Sequence, residues 1–269
     1  MPVQPARPLV QPRGTLPRSL PVRLLSPLLW AALASTSVAS PAQDLRERAQ
    51  AAEARFDTRQ ALTLYLQLDA LEPGHADVVQ KIARQYSDLA ELATNPEEHR
   101  DELERGLSYA VKADQLQPNN AVNVLSLAIC HGKLAACSDI RTKIAYSRLV
   151  KDEAERALAL DPHYAWADHV LGCWHYEVAS LTGAARLVAR MFYGGLPPAS
   201  YAESIRYLKR AVKLEPRDPA HVIELGFAYR AAGDKEAARA EFEKGLALTG
   251  QENFDAEAQG RARTALADL

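Results

Sequence analysis

Cysteine, methionine and phenylalanine are scarce, with three, two and five in 269 residues. Aromatic residues make up only 7% and glycines number 13. So few large rings and glycines argue against a strand-rich barrel and against a glycine-rich nucleotide-binding fold. The odd cysteine count, Cys130, Cys137 and Cys173, leaves at least one thiol outside any disulfide. All three read as small apolar residues of the interior. Strong net charge is also lacking, at −2. The four bases before Asp44 (Arg7, Arg13, Arg18, Arg23) stand without an acid, and removing them leaves 28 bases against 34 acids. Such a body is no nucleic-acid binder through bulk charge. What is present is 48% hydrophobic and 25% charged residues. That is the balance of a folded soluble chain.

Residues 1–42 differ from the rest. Six prolines fall between Pro2 and Pro21, an apolar run spans Leu24 to Ala34, and small residues follow to Ala42. A basic start, an apolar middle and a small-residue end predict a secretory leader, cut after Ala39 or Ala42. The product would be exported and, in a bacterium, periplasmic. The alternatives are an uncleaved cytoplasmic chain or an organelle-import peptide. The apolar run of about 11 residues falls short of the roughly 20 that cross a bilayer, and Pro27 interrupts it. No other long apolar run follows, so no spanning helix is expected in the body.

From there the chain repeats. Leu-polar-Pro recurs at Leu71-Glu72-Pro73, Leu116-Gln117-Pro118, Leu160-Asp161-Pro162 and Leu214-Glu215-Pro216, with proline spacings of 45, 44 and 54. Each proline follows an alanine-rich amphipathic run and marks a helix stop. The last unit is the plainest. Val222, Leu225, Gly226 and Tyr229 form one stripe, Gly233-Asp234 turns the chain, and Ala238, Phe242 and Gly245 form the second stripe. The small residues allow close approach while Tyr229 and Phe242 fill the space beside the crossing. Spacing and residue types resemble the tetratricopeptide repeat (TPR). Earlier first helices carry Val79, Ile82, Ala83, Tyr86 and Val124, Leu127, Ala128, His131. Second helices carry Ala61, Tyr65, Leu68; Gly106, Ala110, Ala113; Val150, Ala154, Ala157; and Ser204, Leu208, Ala211. Residues from Asp44 to about Phe56 read as a poorly patterned capping helix. The expectation is an all-α, TPR-like solenoid of about five helix–turn–helix units over 43–252. It would wind as a right-handed superhelix with a concave groove, and 253–269 would form a C-terminal capping helix. Repeat-packing positions are Tyr65, Ala83, Tyr86, Ala110, Ala128, Ala154, Gly172, Leu208, Gly226, Tyr229, Ala238 and Phe242.

Units three and four carry a narrower pattern. In order come Leu171-Gly172, Trp174 and Tyr176 around His175, then Phe192, Pro197-Pro198 and Ser200-Tyr201. Over roughly residues 106–250 this order resembles the regulator of microtubule dynamics protein family. The resemblance implies a TPR-like helical protein without catalytic machinery. Eukaryotic members are associated with microtubules and organelle membranes. The leader and the alanine- and arginine-rich body look bacterial, so that activity is not carried over.

Chemical motifs are sparse. His163, His169 and His175 are six apart, whereas two ligands on one helix want three or four. No His-Glu-x-x-His, phosphate loop or serine elbow occurs, and no metal or cofactor is expected. The insert after Glu177 is the most informative segment for function. Leu181, Ala184, Leu187, Val188 and Met191 give an apolar face at helical spacing, Arg186 and Arg190 share another, and Gly194-Gly195 precedes the double proline. The favoured reading packs this short helix onto unit four with its arginines in water. The sharper reading puts Trp174, Tyr176, Glu177, Arg186, Arg190, Phe192 and Tyr201 around the groove to grip an acidic or C-terminal peptide group. The function expected is a non-enzymatic scaffold for a peptide or partner protein. A structural subunit of an envelope-associated complex is the alternative. An enzyme using Glu177 or His175 as acid or base is the remote one.

Overall fold

The computed structural model describes residues 40–250 and 253–269. The leader up to residue 39 lies outside them. Among the described residues there are twelve helices and no strand. Five antiparallel hairpins follow in chain order: α1 (Pro41–Glu53) with α2 (Thr58–Leu71), α3 (Ala76–Glu91) with α4 (Pro96–Leu116), and α5 (Ala121–Ala136) with α6 (Ile140–Leu160). The fourth joins α7 (Ala165–Ser180) to α9 (Tyr201–Leu214), with α8 (Gly183–Tyr193) inserted, and the fifth joins α10 (Pro219–Ala231) to α11 (Lys235–Ala247). Helix α12 (Asp255–Ala267) covers the exposed end by packing on α10 and α11. Apart from the inserted α8, each described helix packs on the helices before and after it, with α7 pairing directly with α9, so the stack is a TPR-like solenoid.

The recurring Leu-polar-Pro tripeptide has one structural meaning. The leucine ends α2, α4, α6 or α9, and the polar residue is the C-cap. Its N–H closes the last turn, Glu72 onto Leu68 O, Gln117 onto Ala113 O, Asp161 onto Ala157 O and Glu215 onto Ala211 O, at 2.9 to 3.0 Å. The four caps adopt φ of −130°, −142°, −135° and −127°. These values lie outside the helical region, where the following proline holds them. A side-chain oxygen then starts most helices. Asn95 Oδ1 accepts from Glu98 N at 2.8 Å, Asp218 Oδ1 from Ala220 N at 2.8 Å, and Asp234 Oδ1 from Ala237 N at 3.0 Å.

Helix α1 begins earlier than Asp44. Ser40 caps it, with Gln43 N donating to Ser40 Oγ at 3.1 Å, and Pro41 opens its first turn, the place where a missing N–H costs nothing. Ala42, Ala49 and Ala52 are buried, and Tyr65 of α2 donates its hydroxyl to Glu53 at 2.8 Å. The first hairpin is thus a packed unit.

The hairpin crossings rest on small residues. A Cβ on Gly226 would lie 2.7 Å from the Phe242 ring, and one on Gly172 would lie 2.5 Å from Leu208 Cγ. Either contact is shorter than packed carbons tolerate. Ala83, Ala110, Ala128, Ala154 and Ala238 are fully or almost fully buried at the equivalent crossings. Tyr86 stacks on Tyr109 with ring centroids 5.6 Å apart, and Tyr229 packs beside Leu208. The extra length of units two and three appears as the 21-residue helices α4 and α6, and that of unit four as α8 and its flanking loops.

Candidate functional site

The first helices of hairpins two to five line the concave side. Along α5 the lining residues are Val122, Ser126, Ile129 and Lys133, spaced i, i+4, i+7 and i+11 on one face. Helix α3 supplies Gln80, Arg84, Ser87 and Glu91 at the same spacing. Trp166 and His169 come from α7, and Ala220 and Glu224 from α10. The C-terminal segment supplies the remaining wall. Asn253 donates to Thr58 Oγ1 of α2 at 2.9 Å, so it reaches from the last hairpin to the first. Phe254 lies under Lys133, whose Nζ is 5.8 Å from the ring centroid, and Arg261 pairs with Glu224 at 2.7 Å. Together these elements enclose a cavity of about 580 Å³, within the range of sites that take a small ligand or a few peptide side chains.

The cavity lining mixes aromatic and charged side chains. Tyr164, Trp166 and Phe254 give aromatic surface. Trp166 stands 4.8 Å from the His169 ring and 4.7 Å from the His221 ring, and the two imidazoles meet Nδ1 to Nδ1 at 3.0 Å. That contact requires at least one neutral ring, and burial lowers the pKa of both. The basic groups are held in place. Lys81 bonds Glu53 at 2.8 Å, and Lys133 bonds Ser87 O at 3.0 Å and Glu91 at 3.1 Å. Cys130 also lines the cavity, and burial pushes its thiol up to about 11. It is therefore an unreactive wall. All three cysteines are free.

The residues expected to rim this groove do not converge on it. Trp174 is 5% exposed and turned away, toward α6, where its Nε1 donates to Ser147 O at 2.7 Å. Tyr176 and Tyr201 face each other between α7 and α9, with centroids 6.0 Å apart. Arg186 donates to Ala179 O at 2.7 Å and to Val178 O at 3.3 Å. It thereby closes the C-terminal end of α7. Arg190 and Phe192 lie on the exposed surface of α8. The reason is helical phase. At about 100° per residue Trp166, His169, Cys173 and Glu177 share the concave stripe of α7, and Trp174 and Tyr176 fall to either side. Glu177 alone of the expected set continues the stripe, and its carboxyl pKa is raised by desolvation and by Glu224. His175 projects from the opposite face of α7, buried against Tyr207 with ring centroids 5.4 Å apart. These two groups cannot act on one substrate atom.

The insert also packs differently from expectation. The backbone of α8 approaches α6 of unit three, not unit four. Arg148 of α6 holds the turn after it, donating Nε to Gly195 O at 3.1 Å. Gly194 and Gly195 are both at positive φ, which only a residue without a Cβ adopts freely. Leu187, Val188 and Met191 remain exposed.

The groove residues Tyr164, Trp166, Lys133, Phe254 and Arg261 escaped the sequence reading. The signal was there as a second i, i+4, i+7 stripe on each first helix, set apart from the alanine-rich one that packs the hairpins. Glu215, Asp218 and His221 bring potential ligand atoms within 4.8 Å of one another. Asp218 Oδ1 is already the α10 cap, and His221 Nε2 already bonds Glu215 at 3.2 Å. The trio is accounted for as a helix-start network.

Comparison with known proteins follows the same geometry. The family described as Regulator of microtubule dynamics protein 1-3 matches residues 45–269, and the chain belongs to it. Regulator of microtubule dynamics protein 1 of Bos taurus is 27% identical over 175 residues, 64% of this chain and 55% of that protein. The Mus musculus protein of that name is 27% identical over 184 residues, 68% of this chain and 60% of its own length. This chain therefore spans little more than half of these relatives. A thermophilic TPR protein from Thermus thermophilus superposes with a TM-score of 0.64 at 18% identity, covering 84% of this chain and 99% of that one. That likeness concerns the fold.

Proposed function

We propose that this member of the family is a non-enzymatic scaffold that holds a peptide or an extended segment of a partner protein in its concave groove. The observation that carries the reading is the roughly 580 Å³ cavity built by four successive first helices and walled by 253–261. Trp166, Tyr164 and Phe254 would anchor an apolar side chain, and Lys133 and Arg261 at the margin would orient polar groups of the same segment. In this proposal the anchoring role falls to these five, and of the seven residues expected from the sequence Glu177 continues the same stripe of α7.

The test is capture of partners from the native envelope fraction, identified by mass spectrometry, with the wild-type chain and Trp166→Ala. Trp166→Ala is expected to weaken the principal partner at least about tenfold, as loss of a central aromatic anchor does, while the helical spectrum is unchanged. Equal capture by both proteins would refute the groove reading.

Export belongs to the same proposal. Cleavage after Ala39 would leave Ser40 in place to cap α1, whereas cleavage after Ala42 would remove the cap and the first helical turn. Mass spectrometry of the mature N-terminus is expected to give a start at Ser40. A mature chain starting at Met1 or Pro2 would end the export claim.

A further inference from the structure

Helix α8 has its apolar side facing outward. Leu187, Val188, Met191 and Phe192 are 56%, 42%, 67% and 70% exposed, while small Ala189 is buried against the body. At about 100° per residue the four large side chains form one continuous face, and Arg186 and Arg190 project from the opposite side. A helix serving only the packing of the body would place these residues the other way round. We propose that α8 is an interfacial helix that lays Leu187, Val188, Met191 and Phe192 into the headgroup region of an anionic lipid bilayer.

Charge selects this occupant. No acidic residue lies between Glu177 and Glu203, and none lies on α6 from Ile140 to Lys151, where Arg141, Lys143 and Arg148 stand with Lys151, which is paired with Glu155 one turn on. The rest of the body is acidic in balance, so the cations gather where the apolar face is exposed. Ile140 and Leu149 of α6 are exposed as well. A basic helix with an opposed apolar face is the composition that lies in a bilayer interface. A second copy would bring two arginine-bearing, acid-free helices together. An acidic peptide would match the arginines and leave four large apolar side chains in water. Eleven residues make a rod of about 16 Å, too short to cross the hydrocarbon layer, so the helix lies along the surface. Its attachment suits that role. Among the described helices the backbone of α8 touches only α6, Arg186 ties its start to the end of α7, and Gly194, Gly195 and the double proline carry the chain away.

The inference is independent of the groove reading, since the cavity wall contains no residue of α8. It is tested with the full chain by flotation with vesicles of phosphatidylglycerol and phosphatidylcholine, against phosphatidylcholine alone. The wild type is expected to float with the anionic vesicles and to be released by salt. The Leu187→Glu/Met191→Glu double variant should lose at least about tenfold in vesicle affinity, because a charge sinks poorly into the apolar layer. Arg190→Ala should lose about fivefold, the worth of one cation at an anionic surface. Arg263→Ala, an equal charge loss on α12, should float as the wild type does. Met191→Cys carrying an environment-sensitive dye should shift to the blue on vesicle addition. Flotation of the double variant equal to the wild type would overturn the proposal. So would a wild type that ignores anionic vesicles, or one that forms a lipid-free dimer dissolved by the double variant.

Discussion

Hairpins four and five are built on one plan and differ in what joins their helices. In hairpin five, Gly233 at positive φ and the Asp234 cap turn the chain at once. In hairpin four, twenty residues separate Ser180 from Tyr201, and they hold α8. The crossings nevertheless match, with Gly226 against Phe242 in one and Gly172 against Leu208 in the other. A TPR-like pair is therefore defined where its helices cross and not where they turn. Chain inserted at the turn is free to acquire a surface of its own.

Trp174 is the sharpest way to break that symmetry, because hairpin four uses it to seat the insert on α6, and hairpin five has no counterpart. Its ring packs among Val150, Val178 and the loop residues Leu196 and Ala199, and its Nε1 satisfies Ser147 O. Trp174→Ala should cost about 3–5 kcal/mol, as truncation of a buried tryptophan does, read as a fall in the urea midpoint. A loss below about 1 kcal/mol, the range of exposed sites, would mean that the insert is held without it.

The crossing itself is tested next. Gly226→Leu must push the Phe242 ring aside and should cost about 1–3 kcal/mol through overpacking. Gly172→Leu meets a branched aliphatic chain and should fall in the same range. If Gly226→Leu is neutral, the hairpins do not depend on close approach.

A smaller effect is a response of hairpin four to pH. Asp168 of α7 is fully buried 3.4 Å from Arg210. Desolvation, the largest cause, pushes its pKa up to about 6 from the ordinary aspartate value. A carboxyl raised in the folded state binds its proton more tightly there than in the unfolded chain. Its folded form is favoured below the ordinary value, and that advantage is lost as pH rises through about 6. Asp168→Asn should therefore raise Tm near neutral pH and have little such effect in acid below the ordinary aspartate value. An equal shift under both conditions would deny the buried charge. A response of opposite sign comes from the imidazole pair that joins the two hairpins. The His169 ring of α7 and the His221 ring of α10 are both lowered by burial, so their contribution is present above the ordinary histidine range and fades as pH falls through it.

The stack was readable in the sequence because four Leu-polar-Pro stops and the alanine or glycine stripes repeat the same local physics in every unit. The groove was less so. The same helices carry a second stripe of mixed residues, Gln80 to Glu91 on α3 and Val122 to Lys133 on α5. Nothing in composition marks these as inward until the superhelix bends around them. Phe254 and Asn253 join the site only because the chain end folds back to Thr58, a contact 195 residues apart in sequence. Trp174 drew attention as a tryptophan in a helix with few rivals, but one position along a helix is about 100°, and Trp166 holds the concave phase.

The smallest effect concerns α8 and completes the contrast between the hairpins. If the insert contributes surface rather than core, shaving its outward face should leave stability alone. Leu187→Ala and Met191→Ala remove large side chains that are more than half exposed. Together they should move the unfolding free energy by no more than about 0.5 kcal/mol, the span of exposed substitutions. The comparable truncation inside hairpin five, Phe242→Ala, removes a fully buried ring and should cost several times more. Chemical denaturation of both variants measures the ratio. A large loss from the α8 pair would mean that these side chains cover part of the body, and hairpin four would then own a core that hairpin five lacks.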